Sequence, residues 1–360
     1  MRLLVDAHVF DGKFQGTRTY LEGMYQKLVE HDNIDFYFAA QDIANLMNVF
    51  GKRKNVHYVQ LEASGSVKRL LFQWPKIIKT YAIDWAHYQY ISPLRKCCKE
   101  IVTIHDLLFL DMPEFFPLLY RLRNKIFFYR SAKRADLLLT VSSFSKNEII
   151  HHFNIAAEKI HITPNSVLPI EESVVLPDVK SKWGLGHYIL TVGRYEPRKN
   201  IVRLMQAFAE LELHKKGYKL VMIGSPDLDY KEFYDFLDKA DETLKTAIIT
   251  DKASFFELVA LYKKADLFVF PSLGEGFGIP PLEAVVYGCP LLCSKATAML
   301  EFNLPDELLF LPTDINELKY KMQKILFGPS INIDRNVIMK KFSWQYSADV
   351  LYNKLINVNI

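Results

Sequence analysis

The chain has 360 residues, half of them apolar, 24% charged and 13% aromatic, which is enough buriable surface to exclude a disordered, collagenous or disulfide-scaffold protein and enough length for two domains. Its net charge of +4 divides unevenly. Residues 1–166 hold 22 Lys and Arg against 16 Asp and Glu, a balance of +6, and the remainder holds 23 against 25, so the first half is the side expected to meet an anionic surface or ligand, unless the excess is ordinary scatter.

In chain order, short β-branched or apolar runs at 3–9, 34–39, 56–61, 83–88, 101–104, 137–141 and 160–163 read as strands. Amphipathic stretches near 17–30, 67–80, 118–134 and 143–153 read as the helices between them, the alternation of βα units around a parallel sheet. The segment 164–177, with three prolines and Asn165, Ser166, Glu171 and Glu172, breaks the pattern and reads as a linker. Strands at 188–192, 219–223, 246–250, 267–270 and 290–293, with a helix over 198–213, then form a second α/β domain. Helical spacing returns over 314–327 and 342–357, where Trp344, Ala348, Leu351 and Leu355 share a face. MRLLVDAHVF meets Asp6 before any apolar run of signal-peptide length, and no stretch nears the ~18 apolar residues of a membrane span. A soluble cytoplasmic protein is expected, with Cys97, Cys98, Cys289 and Cys293 as reduced thiols.

The most informative segment is Phe270-Pro-Ser-Leu-Gly-Glu-Gly-Phe-Gly-Ile-Pro-Pro-Leu-Glu283. It leaves a strand, turns through three glycines and enters a helix whose free N–H groups can face an anion. Glu275 in the loop and Glu283 about one turn into the helix could both accept hydrogen bonds from hydroxyls of one ligand. The paired acids, with seven residues between them, resemble the motif of retaining glycosyltransferases of family 4. That resemblance implies that Glu275 contacts the sugar hydroxyls of a nucleotide-sugar donor and that Glu283 binds the ribose. It also implies that backbone N–H groups of Phe277, Gly278 and Ile279 face the sugar or diphosphate. Pro280 and Pro281 have no N–H, so a further amide contact falls to Leu282.

Leu190-Thr-Val-Gly-Arg-Tyr-Glu-Pro-Arg-Lys-Asn200 resembles the same family's diphosphate loop, in which Gly193 ends a strand and Arg194 and Lys199 neutralise the diphosphate, with Arg198 a third cation at the helix start. Three weaker segments of the first half fit the resemblance. The Gly12–Tyr20 loop, including Gly16, is similar to the family's glycine loop and is not the GxGxxG of a dinucleotide dehydrogenase. Thr103-Ile-His-Asp-Leu107 resembles the family step in which the histidine, here His105, lies beside the reacting sugar. Val141–Lys146 and Thr163–Ser166 resemble segments that line the cleft and lead into the linker.

The resemblance implies an α/β protein of GT-B fold, two Rossmann-like domains facing across a cleft. The expected divisions are an acceptor-side domain at 1–166, a linker at 167–180, a nucleotide-sugar domain at 181–342, and a C-terminal helix at 343–360 that crosses back to the first domain. It further implies metal-independent transfer of a hexose with retention, no cofactor, and a glycan or lipid-linked glycan as acceptor in polysaccharide biosynthesis. Catalytic roles fall to His105 and Glu275, with Glu275 positioning the sugar. Asp227-Leu-Asp229 is the one short match to a metal-binding DxD. The glycine loop, the His-Asp-Leu step and Gly-Phe-Gly-Ile-Pro look most like O-antigen mannosyltransferases, which makes GDP-mannose the first donor to test.

The stretches 66–81 and 118–134 mix cations with aromatics and are compatible with an anionic membrane surface, and equally with helices that have a core face and a solvated face. A nucleotide-sugar epimerase, a glycan phosphorylase and a noncatalytic partner of the same fold are the alternatives. Nucleic-acid binding lacks a recognisable module.

Overall fold

Runs such as Leu3-Leu-Val5, Ile101-Val102 and Leu137-Leu-Leu139 are apolar at successive positions and do not alternate, the pattern of strands covered on both faces. In the computed structural model, which describes residues 1–12, 15–62, 65–168, 170–171, 173–225 and 230–357, they form a seven-stranded sheet. Its strands are β1 (Arg2–Asp6), β2 (Asp35–Ala40), β3 (Val56–Gln60), β4 (Trp85–Gln89), β5 (Lys99–Thr103), β6 (Leu137–Thr140) and β7 (Ile160–Ile162), in the order β3-β2-β1-β4-β5-β6-β7. Every pairing is parallel, with Leu3 between Phe36 and Trp85. The order reverses between β1 and β4, and the carboxyl ends of strands at such a switch point are where open α/β sheets take ligands.

A second parallel sheet contains β8 (His187–Val192), β9 (Tyr218–Ile223), β10 (Ile248–Asp251), β11 (Leu267–Phe270), β12 (Leu291–Ser294) and β13 (Leu309–Phe310), in the order β10-β9-β8-β11-β12-β13. Its switch point lies between β8 and β11. The two strongest sequence motifs follow those two strands, so the sheet brings Gly193–Lys199 and Pro271–Ile279 side by side. Leu190, Leu220, Phe268 and Leu292 are fully buried and form part of its core.

Two compact units result, one of Met1–Leu168 with the C-terminal residues from Lys341, the other of the residues between. The helix Trp344–Asn357 lies on the helix Gly16–Leu28 within the first unit. Gly23 makes that approach feasible, because a Cβ there would stand 2.1 Å from Trp344 Cε2. The Ser347 hydroxyl donates to Pro164 O at 2.7 Å and Ser166 Oγ to Phe342 O at 2.8 Å, tying the returning chain down. Among the described residues no helix is long and apolar enough to cross a membrane.

Several elements depart from the spacing-based reading. The first strand ends at Asp6, because the His8 ring bonds Asp6 Oδ1 at 2.6 Å and turns the chain into a short 3-10 helix, His8–Phe10. The helix over 66–80 carries a π turn at Arg69–Gln73 just ahead of Pro75, where a proline can neither donate its amide nor clear the carbonyl four residues back. The helix Val179–Trp183, capped by Asp178, begins inside the stretch expected as linker. The helices Ile43–Phe50, Lys231–Lys239 and Phe255–Lys264 were not singled out by apolar spacing. The last has a capping box, Ser254 and Glu257, which is a readable local signal.

Candidate active site

The loop after β8 starts at Gly193, whose φ of +149° suits glycine. Gly224 at the end of β9 packs against it so closely that a Cβ would meet Gly193 O at 1.9 Å. Two backbone bonds of 3.0 Å, Gly193 N to Ile223 O and Tyr195 N to Ser225 O, hold the pair of loops together. Pro197–Lys199 then form a single 3-10 turn, and Asn200 in the left-handed region donates to Pro271 O and Pro312 O before the helix Ile201–Glu210 begins. This corrects the expected geometry, since Arg198 and Lys199 precede the helix and are separated from it by Asn200. Their compensation is a carboxylate. Lys199 Nζ lies 2.6 Å from Glu275 Oε1 and Arg198 Nη1 3.2 Å from Glu275 Oε2, while Arg198 Nη2 also meets Glu196 at 2.5 Å.

Glu275 is held from every side. Ser272 Oγ donates to its Oε1 at 2.6 Å. Its backbone N–H donates to Thr297 Oγ1 at 2.8 Å, and the same hydroxyl donates back to Glu275 O at 3.0 Å. Arg198 further reaches Gly274 O, and Leu273 N donates to Arg198 O at 2.9 Å. Burial would raise the pKa of this carboxyl, but the charges of Lys199 and Arg198 and the bonds from Lys199 and Ser272 outweigh it and bring it to about 2. Glu275 is therefore ionised and acceptor-only at neutral pH.

Past Glu275 the chain enters the helix Ile279–Tyr287 through Gly278, whose φ is +94°. A Cβ at Gly278 would press on Met299 Cγ at 3.3 Å. The amides of Gly278 and Ile279 have no acceptor among the described residues. The side chains of Phe277 and Leu282 are buried, the first edge-on to Phe302, so contacts with a ligand fall to their backbones. Glu283 is partly exposed and accepts one hydrogen bond, from the Tyr262 hydroxyl at 2.9 Å. Burial lifts its pKa to about 7, with Tyr262 opposing only part of the rise. The two glutamates thus differ in kind: Glu275 is neutralised in place, and Glu283 pairs with no cation among the described residues.

Arg194 is exposed and makes no ion pair or hydrogen bond among the described residues. With Gly193, Tyr195, Lys199, Phe270 and Pro271 it lines a small concavity open to solvent. The second unit therefore gathers Gly193, Arg194, Lys199 and Glu275 in one place. Ser272, Thr297, Gly224 and Tyr262 escaped the sequence reading. Ser272 stands inside the motif, but nothing local marks Thr297 or Tyr262 as partners of the glutamates.

In the first unit His105 sits two residues beyond β5, nine-tenths buried, with its ring edge-on to Tyr20 at 4.9 Å. His105 Nε2 lies 2.7 Å from Gln89 Oε1, Gln89 Nε2 lies 3.2 Å from His87 Nε2, and His87 continues to Thr103 and Tyr25 at 2.7 Å each. Burial depresses both imidazoles to about 3, so they are neutral. The Gln89 carbonyl can only accept, which places the His105 proton on Nε2 and leaves Nδ1 as an acceptor. The Val141–Lys146 segment holds the histidine backbone, through Ser145 Oγ to His105 O at 2.8 Å. Gly16 opens the helix Gly16–Leu28. Lys13 and Phe14 of the same loop, and Asp227-Leu-Asp229, lie outside the described residues. Among the described residues, Asp111, Glu148 and His152 have donor atoms within 4.8 Å of one another, with His152 bonded to Asp111.

Residues 180–341 match the glycosyl transferases group 1 family and residues 18–168 match glycosyltransferase family 4. The chain belongs to the family 4-like glycosyltransferases. This glycosyltransferase is 28% identical over 315 residues to the O-antigen chain mannosyltransferase B of Escherichia coli, covering 78% of this chain and 80% of that one. It superposes on sucrose-phosphate synthase from Thermosynechococcus elongatus with a TM-score of 0.74 at 18% identity over 99% of both chains. On Anabaena HepE in complex with UDP and glucose the TM-score is 0.67 at 16% identity over 98% of both. The fold of this glycosyltransferase is GT-B.

Proposed function

We propose that this glycosyltransferase moves mannose from GDP-mannose, with retention and without a metal ion, to a glycan acceptor carried on a lipid. The observation that carries the reading is the Lys199–Glu275–Arg198 cluster beside the exposed Arg194, which combines cations for a diphosphate with an ionised acceptor for sugar hydroxyls. Likeness to an O-antigen mannosyltransferase supports mannose as the sugar.

In this reading Arg194 and Lys199 hold the diphosphate, with the Gly278 and Ile279 amides nearby in sequence, and Glu283 takes the ribose hydroxyls. The bond from the anomeric carbon to the diphosphate oxygen breaks, and the acceptor oxygen bonds from the same face. The acceptor proton passes to the departing phosphate oxygen. The cations stabilise the charge that develops on the leaving group. Glu275, with a pKa of about 2 and several donors on it, is a poor nucleophile and suits hydroxyl positioning. His105, neutral and with Nδ1 free to accept, steadies the sugar.

The acceptor side follows from the helix Leu118–Arg134. Its core-facing residues are Asn124, Phe128, Ser131 and Ala132. On a different face Leu118, Leu119, Leu122 and Ile126 are 61%, 82%, 52% and 65% exposed, with Lys125 and Lys133 also exposed on this helix. An apolar stripe with flanking cations supports docking on an anionic membrane surface.

A nucleotide-sugar panel tests the donor, and proton NMR of the product tests the stereochemistry. GDP-mannose turnover to an α-linked product, unaffected by EDTA, is expected; a β-linked product, or turnover restored only by a divalent cation, would overturn the reading. Sedimentation with anionic vesicles should fall after Leu119→Ser with Lys125→Glu, and unchanged binding would remove the membrane from the proposal.

A further inference from the structure

Thr297 opens the 3-10 segment Thr297–Phe302 after β12 with φ of +45°. A β-branched residue is disfavoured in the left-handed region and persists there only where the surroundings over-determine it. Among the described residues the other non-glycine positions with positive φ are Asn154, Asn200, Asn303, Ala82, Tyr90 and Glu212, so Thr297 alone of these is β-branched. What Thr297 supplies is a hydroxyl. That single oxygen accepts from the Glu275 N–H at 2.8 Å and donates to the Glu275 carbonyl at 3.0 Å, 22 residues away in sequence. Both backbone polar groups of Glu275 are thereby satisfied by one side chain, while Ser272, Lys199 and Arg198 hold its carboxylate.

We infer that Thr297 is a positioning residue for transfer: it fixes the backbone of Glu275 so that the carboxylate meets the donor sugar. This rests on the reading of Glu275 as the acceptor of sugar hydroxyls. Without the hydroxyl, the Glu275 peptide groups lose their partner and the carboxylate can swing with Lys199, away from the sugar. The action passes through Glu275, so it bears on the sugar and spares the nucleotide.

The strain allows stability and activity to be separated. Thr297→Gly relieves the backbone and removes the hydroxyl, whereas Thr297→Ser keeps the hydroxyl. Both are compared with wild type and Glu275→Gln by thermal unfolding, by kcat/KM for GDP-mannose, and by the Kd of GDP, or by the corresponding pair if another nucleotide sugar turns over. Thr297→Gly should keep or raise Tm, bind GDP within about two-fold of wild type, and lose roughly ten-fold or more in kcat/KM, a scale set by misplacement at a reacting centre. Thr297→Ser should stay close to wild type. In the Glu275→Gln background Thr297→Gly should add little further loss, because both act on one contact. Wild-type turnover by Thr297→Gly, or a Thr297→Ser loss equal to that of the glycine variant, overturns the inference while Glu275→Gln remains impaired. Full activity of Glu275→Gln would instead overturn the reading of Glu275 on which it rests.

Discussion

Lys199 Nζ and Glu275 Oε1 are 2.6 Å apart, so a cation suited to a diphosphate and a carboxylate suited to a sugar neutralise each other across 76 residues of chain. Binding a diphosphate beside Lys199 would loosen that pair and turn Glu275 toward new donors. The free protein is thus charge-balanced where the ligand would otherwise supply the balance.

A double-mutant cycle measures the coupling. Lys199→Met leaves the Glu275 carboxylate with Arg198 and Ser272, Glu275→Gln takes the carboxylate from Lys199 and leaves Arg198 with Glu196, and the double variant removes both ends. Chemical unfolding at pH 7 should give a coupling of about 1–3 kcal/mol. Each single variant should cost about 100-fold or more in kcat/KM. Because the Glu275 pKa is depressed from 4.5 to about 2, its stabilisation is fully present above pH 4.5 and is lost as the pH falls through about 2. The stability advantage of wild type over Glu275→Gln should shrink over that window, and a constant difference would contradict the pairing.

Glu283 has the opposite sign. With a folded pKa of about 7 against 4.5, it keeps its proton in the fold while the unfolded chain has released its own. The unfolded state then binds fewer protons, so stability falls as pH rises from about 4.5 to 7. Glu283→Gln retains an acceptor for Tyr262 and removes this cost. It should be more stable than wild type at pH 8, by up to about 3 kcal/mol, and indistinguishable at pH 4, while donor affinity drops. Urea melts at the two pH values decide, and a stability difference independent of pH would remove the raised pKa.

His105 should show no titration between pH 5 and 8, because burial holds it at about 3. Carbon-proton NMR of the His105 Cε1 position should be flat over that range, and the pH–rate profile should have no limb that disappears in His105→Gln. Gln89→Leu, which takes away the acceptor of the buried Nε2 proton, should lower kcat and also lower stability by about 1–3 kcal/mol. A His105 resonance titrating near 6.5 would show that the ring is wetter than its surroundings here require.

Gly23→Ala tests the docking of the C-terminal helix. A methyl group 2.1 Å from Trp344 Cε2 forces the indole out, and overpacking of this kind costs about 1–3 kcal/mol. Limited proteolysis should then cut ahead of Trp344, and Trp344→Ala in the same background should add less than it does alone. Intact protection in Gly23→Ala would mean the two helices can part without loss.

Legibility varied along the chain for physical reasons. Strands such as Leu267–Phe270 and the helix Leu118–Arg134 were readable to within a residue or two, since apolar runs and helical spacing are local properties. So was the glycine turn ahead of Glu283, though only Gly278 of its three glycines has a positive φ. The helix Leu118–Arg134 misled in one respect: its spacing could not say which apolar residues face the core, and several of the largest are exposed. A cation count could not say that Arg198 and Lys199 stand clear of the helix start, because that depends on Asn200 adopting a left-handed conformation.

The sequence by itself determined the family, the two parallel sheets and the residue types at the site, because these rest on periodicity and on motifs contained within a dozen residues. The tertiary structure alone decided the electrostatics. Glu275 and Glu283, eight positions apart and alike on paper, are driven to pKa values of about 2 and about 7. The difference comes from partners brought in by the fold: Lys199 and Arg198 from the loop after β8, with Ser272, for the first, and the Tyr262 hydroxyl, with no cation among the described residues, for the second. Burial raises both acids, and only opposite charge brought from a distance in sequence lowers one of them again.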